Sequence, residues 1–296
     1  PLLVSVRSGS RVSMPGMMDT ILDLGLNEDS VRGLAKKTNN PRFAWDSFRR
    51  LIKMHSNVVM GVPDAVLNNV ENQLKRERGV QLDSDLPSED LPLLTEMLRA
   101  EVKKFTGKDF PLEPREQLWT AIEAVFSSWN NPRAVAYREM NEISHDLGTA
   151  VTVQTMVFGN MGDDCGSGVA FSRDPSTGNK VLTGEFLFNA QGEDIVAGTA
   201  TPRPVAEMRE LLPTAYDELE ATARKLERHF KDVQDIEFTV QNGKLWLLQT
   251  RAGKRAAQAS IKVATDLTRE RVMGATDAFL RITPQQLEQV LHPIID

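Results

Sequence analysis

Residues 2–26 read LLVSVRSGSRVSMPGMMDTILDLGL. The apolar run Leu2–Val6 has the pattern of a strand, and it delivers Arg7 into a loop dense in serine and glycine. That loop runs on through Ser13-Met14-Pro15-Gly16-Met17-Met18-Asp19-Thr20 into a helix-like pattern. A strand that feeds a charged, glycine-bearing loop can hold an anion. Glycine lets backbone amides come close, and arginine supplies a fixed fork of donors. An isolated arginine after a strand more often sits in an ordinary turn, but the Ser/Gly density and the Ser13–Thr20 string favour the anion-holding reading.

Outward from this stretch, residues 27–111 read as polar helices. Ser30–Lys37, Pro41–Val59 and Pro63–Arg78 carry apolar residues at three- and four-residue spacing. Phe43, Phe48, Leu51, Ile52 and Val59 are expected to form one buried stripe, and Pro41 and Pro63 suit first helical turns. The acidic, proline-bearing stretch Leu82–Leu93 reads as a loop, and Ser88–Phe105 as a further helix. Residues 114–141 read as a helix pair broken at Asn130-Asn131-Pro132, with Leu118, Ile122, Val125 and Phe126 on one face.

From residue 149, β-branched residues and glycines dominate. Ala150–Phe158 and Lys180–Asn189 read as strands of an antiparallel sheet, and Gly166–Ser172 as a turn leading into another of its strands. Residues 206–230 return to helix, with Met208, Leu211, Leu212, Tyr216, Leu219, Ala223 and Leu226 along one side. Residues 235–251 read as a hairpin whose register matters. A two-residue Asn242-Gly243 loop would put Ile236 and Phe238 on the face of Gln249. A three-residue loop, Gln241–Gly243, pairs Val240 with Lys244 and buries Ile236, Phe238, Trp246 and Leu248 together. Because a one-residue slip inverts every side chain, burial favours the three-residue loop. Asp235, Glu237, Gln249 and Arg251 then share the opposite, polar face. Helix follows to about Thr268 and again from Asp277 to Leu291, with a capped start at Thr283-Pro284 and a stop at His292-Pro293.

The 296 residues are 41% hydrophobic and carry a net charge of −6, enough for a proper core and too acidic for general nucleic-acid binding. One cysteine, Cys165, excludes an intramolecular disulfide framework and fits a reducing compartment, the cytoplasm or an organelle such as a plastid. No apolar run is long enough to span a bilayer, so no membrane association is expected. The four histidines, His55, His145, His229 and His292, show no metal or triad spacing. The hairpin's polar face offers Glu237 and Gln249 as hard oxygen donors flanked by Asp235 and Arg251. Mg²⁺ takes few protein ligands, the rest being phosphate oxygens and water, so two side chains suffice. The plainer alternative is a solvated hairpin face with an acid–arginine ion pair.

Several strings together resemble the nucleotide-binding, ATP-grasp domain of the pyruvate, phosphate dikinase family. They are residues 4–20, Val153–Gly162, Gly168–Phe171, Gly184-Glu185, Asn189–Asp194, Asp235–Phe238 and Leu248–Arg251. The strings fall in the family's order over nearly the whole chain. The resemblance implies an α/β (α+β) ATP-grasp fold with an antiparallel sheet, a helical insertion and a C-terminal helical linker. Residues 1–26 and 112–157 would form a first subdomain lacking its N-terminal part, 27–111 the insertion, 158–255 a second subdomain and 256–296 the linker. The family's upstream Gly- and Lys-bearing segment, its phosphohistidine domain and its pyruvate-binding barrel would lie outside the chain, which is expected to be an inactive fragment by itself.

The resemblance also assigns roles. Arg7 and Arg251 would contact the transferring phosphates. Gly16, Met17 and Met18 would offer backbone amides, and Gln154, Met156 and Val157 would line the adenine pocket, with Asp235 beside the nucleotide. Glu237 and Gln249 would hold Mg²⁺. Arg133, Ser176 and Glu185 would dock the phosphohistidine domain. Gly159–Gly168 resembles the family's flexible glycine-rich lid, in which Cys165 has no catalytic role. The implied reaction converts ATP, phosphate and pyruvate to AMP, pyrophosphate and phosphoenolpyruvate through a carrier histidine, in a homodimeric full-length enzyme. The alternatives are a phosphoenolpyruvate synthase-like dikinase that uses water, and a non-catalytic nucleotide-binding or docking module.

Overall fold

A computed structural model describes residues 1–192, 194 and 201–291. The chain divides into two compact units, Pro1–Met156 and Val157–Asp296.

The first unit is built on a three-stranded antiparallel sheet. β1 (Val4–Gly9) lies between β2 (Thr20–Leu24) and β3 (Ala150–Thr155). Between β2 and β3 the chain makes a helical excursion: α1 (Glu28–Thr38), α2 (Pro41–Val58), α3 (Asp64–Arg78), α4 (Leu91–Thr106), α5 (Pro114–Ser127) and α6 (Pro132–Met140). Caps fix several boundaries. The Asn27 side chain accepts from the Asp29 and Ser30 amides while the Ser30 hydroxyl accepts from the Asn27 amide, a reciprocal box that starts α1. Asn40 caps α2 through the Phe43 amide, with Pro41 in the first turn.

Phe43, Phe48, Leu51 and Ile52 are buried as expected, whereas Val59 lies just past the end of α2 and is half-buried. The stretch 82–93 is not a continuous loop. It holds two short 3₁₀ turns, Asp83–Asp85 and Ser88–Asp90, and α4 begins at Leu91. The buried face of α5 is Gln117, Ala121 and Val125, while Phe126 is exposed. Gln117 is buried because its amide replaces water for three backbone groups. Its Oε1 accepts from the Gly25 amide, and its Nε2 donates to the carbonyls of Leu26 and Pro111.

The second unit carries a five-stranded antiparallel sheet in the order β6-β5-β4-β7-β8. The strands are β4 (Gly166–Phe171), β5 (Thr183–Phe188), β6 (Arg203–Pro204), β7 (Gln234–Gln241) and β8 (Lys244–Ala252). α7 (Met208–Leu211) and α8 (Pro213–Phe230) supply Met208, Tyr216, Leu219 and Ala223 to a core shared with Ala170, Phe186, Ile236, Phe238 and Val240. α9 (Ala257–Arg269), α10 (Ala275–Leu280) and α11 (Pro284–Leu291) follow. Val263, Leu267, Met273 and Ala278 pack with Val233 in a second apolar cluster. The expected helix over 277–291 is therefore two helices. α11 opens on a reciprocal cap in which the Thr283 amide donates to Gln286 and the Gln286 amide donates to the Thr283 hydroxyl. His292 and Pro293 lie outside the described residues.

The glycines of 159–168, expected in a loop, include two that belong to a strand. Gly168 pairs with Phe186 on one side and Phe238 on the other, and those two rings stack in parallel across it with centroids 6.0 Å apart. A Cβ at Gly168 would come within 2.4 Å of the Phe238 ring. The glycine is there to make room for aromatic packing.

Candidate functional site

In the first unit Arg7 is a strand residue, since β1 continues to Gly9, and not the start of the loop. It sits opposite Thr20 of β2 and Thr152 of β3. Facing residues of an antiparallel pair project to the same side, so Arg7, Thr20 and Thr152 share one face. Ser5 and Gln154 share it too, two residues along. Val6, buried, and its partner Ile21 take the other face. The strand holding Gln154 stops at Thr155, so Met156 and Val157 lie beyond it. The Met156 amide still donates to the Leu3 carbonyl, and Val157 opens the second unit.

The loop between β1 and β2 is shaped by its own sequence. Pro15 and Gly16 are the central residues of a turn closed by the Met17 amide donating to the Met14 carbonyl. Gly16 has φ 70°, the value that the third position of a type II turn requires and that favours glycine there. Met14 is buried against Trp129 and Ala134, and Met17 and Met18 pack on the same cluster. Arg133 does not stand apart as a surface cation. It donates to the Met17 carbonyl at 3.1 Å and pairs with Asp19.

In the second unit the hairpin differs from the expected register in an instructive way. Gln241 pairs with Lys244, so the loop is two residues, Asn242 (φ 51°) and Gly243 (φ 70°). Positive φ at both positions is a type I′ turn, whose twist suits a hairpin. The extra residue needed to keep the polar pairs in phase comes from a bulge. Glu237 faces Gln249 while Phe238 faces Leu247, so Leu248 is skipped. Ile236, Phe238 and Val240 are buried with Leu245, Leu248 is half-buried, and Trp246 is exposed, stacking under the Lys244 ammonium at 4.3 Å.

Asp235–Arg251 and Glu237–Gln249 nevertheless face each other, as the polar-face reading requires. Arg251 donates through Nε to Asp235 at 2.7 Å and lies 3.3 Å from Glu237 through Nη1. The same row crosses the sheet, with Glu237 opposite Val169 and Val169 opposite Glu185. Glu185 is therefore on the face of Glu237, two strands away. Ser176 is exposed in a turn organised by Asp174, whose carboxylate accepts from the Ser176 and Thr177 amides. The Thr177 and Ser176 amides also hold the Asp174 carboxyl below the usual range.

Cys165 is fully buried and receives the Asn242 amide on its sulfur at 3.3 Å. Burial pushes its thiol pKa up, which makes it a structural clamp on the hairpin turn and a poor nucleophile. The helices after Arg251 are likewise tied to this unit. Arg173, with no exposed surface, donates twice to Glu227 at 2.9 Å and once to Glu270. Sequence spacing gave no sign of this pair, because Arg173 and Glu227 meet only through the fold.

For Mg²⁺, the donor chemistry fits. Glu237 and Gln249 offer one carboxylate and one amide oxygen at facing register positions, and a hard cation completes its shell with phosphate and water. Among the described residues there is no cluster of three or more His, Cys, Asp or Glu side chains suited to a metal.

A family model described as "Pyruvate phosphate dikinase, AMP/ATP-binding domain" matches residues 1–211 and 202–271. The chain belongs to this family. It is 54% identical over 294 residues to the pyruvate, phosphate dikinase of Clostridium symbiosum, covering 99% of the chain and 34% of that protein. It is 52% identical over 293 residues to the chloroplastic pyruvate, phosphate dikinase 1 of Arabidopsis thaliana (99% and 30%) and 49% identical over 308 residues to the enzyme of Rhizobium meliloti (strain 1021) (100% and 34%). The chain thus spans about a third of the length of these dikinases. Its mixed helices and antiparallel sheets agree with the α/β fold expected of the domain. The relatives include bacterial and chloroplastic proteins, so they do not fix a compartment. Among the described residues no helix is long and apolar enough to cross a membrane.

Proposed function

We propose that the chain binds ATP with Mg²⁺ and is the phosphoryl-donating part of a dikinase. The observation that carries this reading is the polar row on the second sheet: an arginine braced by Asp235 beside a facing carboxylate–amide pair. Phosphoryl transfer asks the protein for positioning and for cations where charge develops, not for covalent chemistry. Arg251 and Arg7 are the guanidinium groups that take phosphate oxygens, each able to bind bidentately. Asp235 orients Arg251 through its Nε, and with Nη1 turned toward Glu237 the Nη2 group is the one offered to phosphate. Glu237 and Gln249 would hold Mg²⁺, which neutralises phosphate charge when bound. Gly16, Met17 and Met18 offer loop amides, and backbone groups at Gln154, Met156 and Val157 read the adenine edge.

In the complete polypeptide this domain serves a carrier histidine elsewhere, so that ATP, phosphate and pyruvate become AMP, pyrophosphate and phosphoenolpyruvate. Ser176 and Glu185, both exposed, and Arg133 are the docking candidates for the histidine-bearing domain. The full-length enzyme is expected to be a homodimer and to act in the cytoplasm or an organelle. A synthase-like relative would release phosphate where this reading requires pyrophosphate. Product analysis with ATP, pyruvate and labelled phosphate on the native polypeptide therefore tests it: labelled pyrophosphate supports a phosphate-using dikinase, free phosphate the water-using alternative. Absence of any MgATP binding in calorimetry would reject both.

A further inference from the structure

The segment just before α6 does more than connect helices. The Ser128 hydroxyl accepts from the Asp19 backbone amide at 3.1 Å and donates to the Val125 carbonyl at 2.7 Å. The Asn131 side-chain Nδ2 donates to Asp19 Oδ2 at 2.9 Å. Arg133 pairs with the other oxygen of Asp19 and also donates to the Met17 carbonyl. Three residues of one six-residue segment thus grip both the carboxylate and the backbone at the end of the Met14–Asp19 loop. The next residue, Thr20, is the one that faces Arg7 across β1 and β2. Whatever fixes Asp19 therefore fixes both the loop amides and the strand position opposite Arg7. The apolar side of the same loop is held by Trp129, whose ring is in turn covered by the buried Arg138 guanidinium, 4.1 Å from its centroid.

We propose that Ser128, Asn131 and Arg133 are positioning residues for the phosphate loop, acting through Asp19. The inference rests on the nucleotide-binding reading, and it gives Arg133 a task distinct from docking another domain. A docking residue matters when the partner domain arrives. A positioning residue matters whenever nucleotide binds, and only for the part of the nucleotide the loop touches.

The test is calorimetric binding of MgATP and, separately, of adenosine to the native full-length polypeptide. The variants are Asn131→Ala, Arg133→Ala, Arg133→Lys, Asp19→Asn and the double variant Asp19→Asn/Arg133→Ala. Each alanine or asparagine variant should weaken MgATP by about tenfold, as expected for loss of a charge-assisted hydrogen bond, and leave adenosine binding unchanged. Arg133→Lys should recover part of the loss. Because the residues act through one carboxylate, the double variant should be no worse than its weaker-binding single. Wild-type MgATP affinity in Asn131→Ala and Arg133→Ala would overturn the proposal and leave Arg133 with docking alone. Equal loss for adenosine and MgATP would also overturn it, since that marks general damage. If Arg133→Ala fails to fold, Asn131→Ala and Arg133→Lys decide the matter by the same criteria. A wild-type polypeptide that bound no MgATP would instead remove the underlying nucleotide reading.

Discussion

Replacing Arg251 with alanine separates the structural from the chemical work of the polar row. In the fold, Arg251 makes one short bond to Asp235 and a longer contact to Glu237, and all three side chains are less than a third exposed, at 23%, 13% and 26%. A hydrogen bond to a charged partner is worth about 1.5–3 kcal/mol. Partial exposure lowers the net cost to roughly 1–2 kcal/mol. Urea unfolding of the variant should therefore show a modestly reduced midpoint with an unchanged slope. Phosphoryl transfer should suffer far more. Guanidinium groups that stabilise a transferring phosphoryl are worth on the order of a thousandfold or more in rate, about 4 kcal/mol. The assay is ATP-dependent formation of phosphoenolpyruvate by the native full-length polypeptide, measured under conditions where the variant is fully folded. A rate loss below about tenfold would mean that Arg251 only braces the sheet, and the assignment of this face to phosphate would be wrong.

Two further consequences concern the scaffold. Gly168→Ala puts a methyl within 2.4 Å of the Phe238 ring and 2.8 Å of the Glu185 carbonyl, so stability should fall by about 1–3 kcal/mol in urea unfolding; an unchanged midpoint would show that the stacked rings can part freely. His55 is buried beside Phe110 and Thr120, and burial lowers its pKa from 6.5 to about 4. A depressed folded-state value favours the neutral ring, so its contribution is intact above pH 6.5 and is lost as pH falls toward 4, by up to about 3 kcal/mol. His55→Gln should remove that part of the acid sensitivity, and equally steep loss in the variant between these pH values would show that other groups carry it.

The helices were legible in the sequence because caps and periodicity are local. Pro41 and Thr283 mark starts that the fold uses, whereas the cap at Asn27 starts α1 at Glu28, ahead of the expected Ser30. The polar hairpin face was legible too, since alternation alone aligned Asp235, Glu237, Gln249 and Arg251. The loop that achieves this was not. Burial argued for a three-residue turn, and the fold kept the I′ turn and spent the extra residue on a bulge at Leu248. A bulge leaves no mark in a period-two pattern, because one unpaired apolar residue among others looks like register. Gln117 and Arg173 were missed for a different reason. Each is a polar side chain whose burial depends on partners 91 and 54 residues away. Gly168 looked like loop glycine because its crowding comes from phenylalanines on two other strands. The Asp19 grip could have been suspected, since an acid inside an otherwise apolar Met-Met-Asp-Thr string needs a partner, but nothing in the spacing pointed to Asn131 and Arg133.

The most direct test concerns the polar row of the second unit, where Arg251, Glu237 and Gln249 are proposed to take the phosphates and the metal of one nucleotide. An experimental structure of the native polypeptide with Mg²⁺ and a non-hydrolysable ATP analogue measures this directly. The expected result is a triphosphate within hydrogen-bond distance of the Arg251 guanidinium, with the metal on Glu237 and Gln249. An analogue bound with Arg251 out of reach of its phosphates would contradict it.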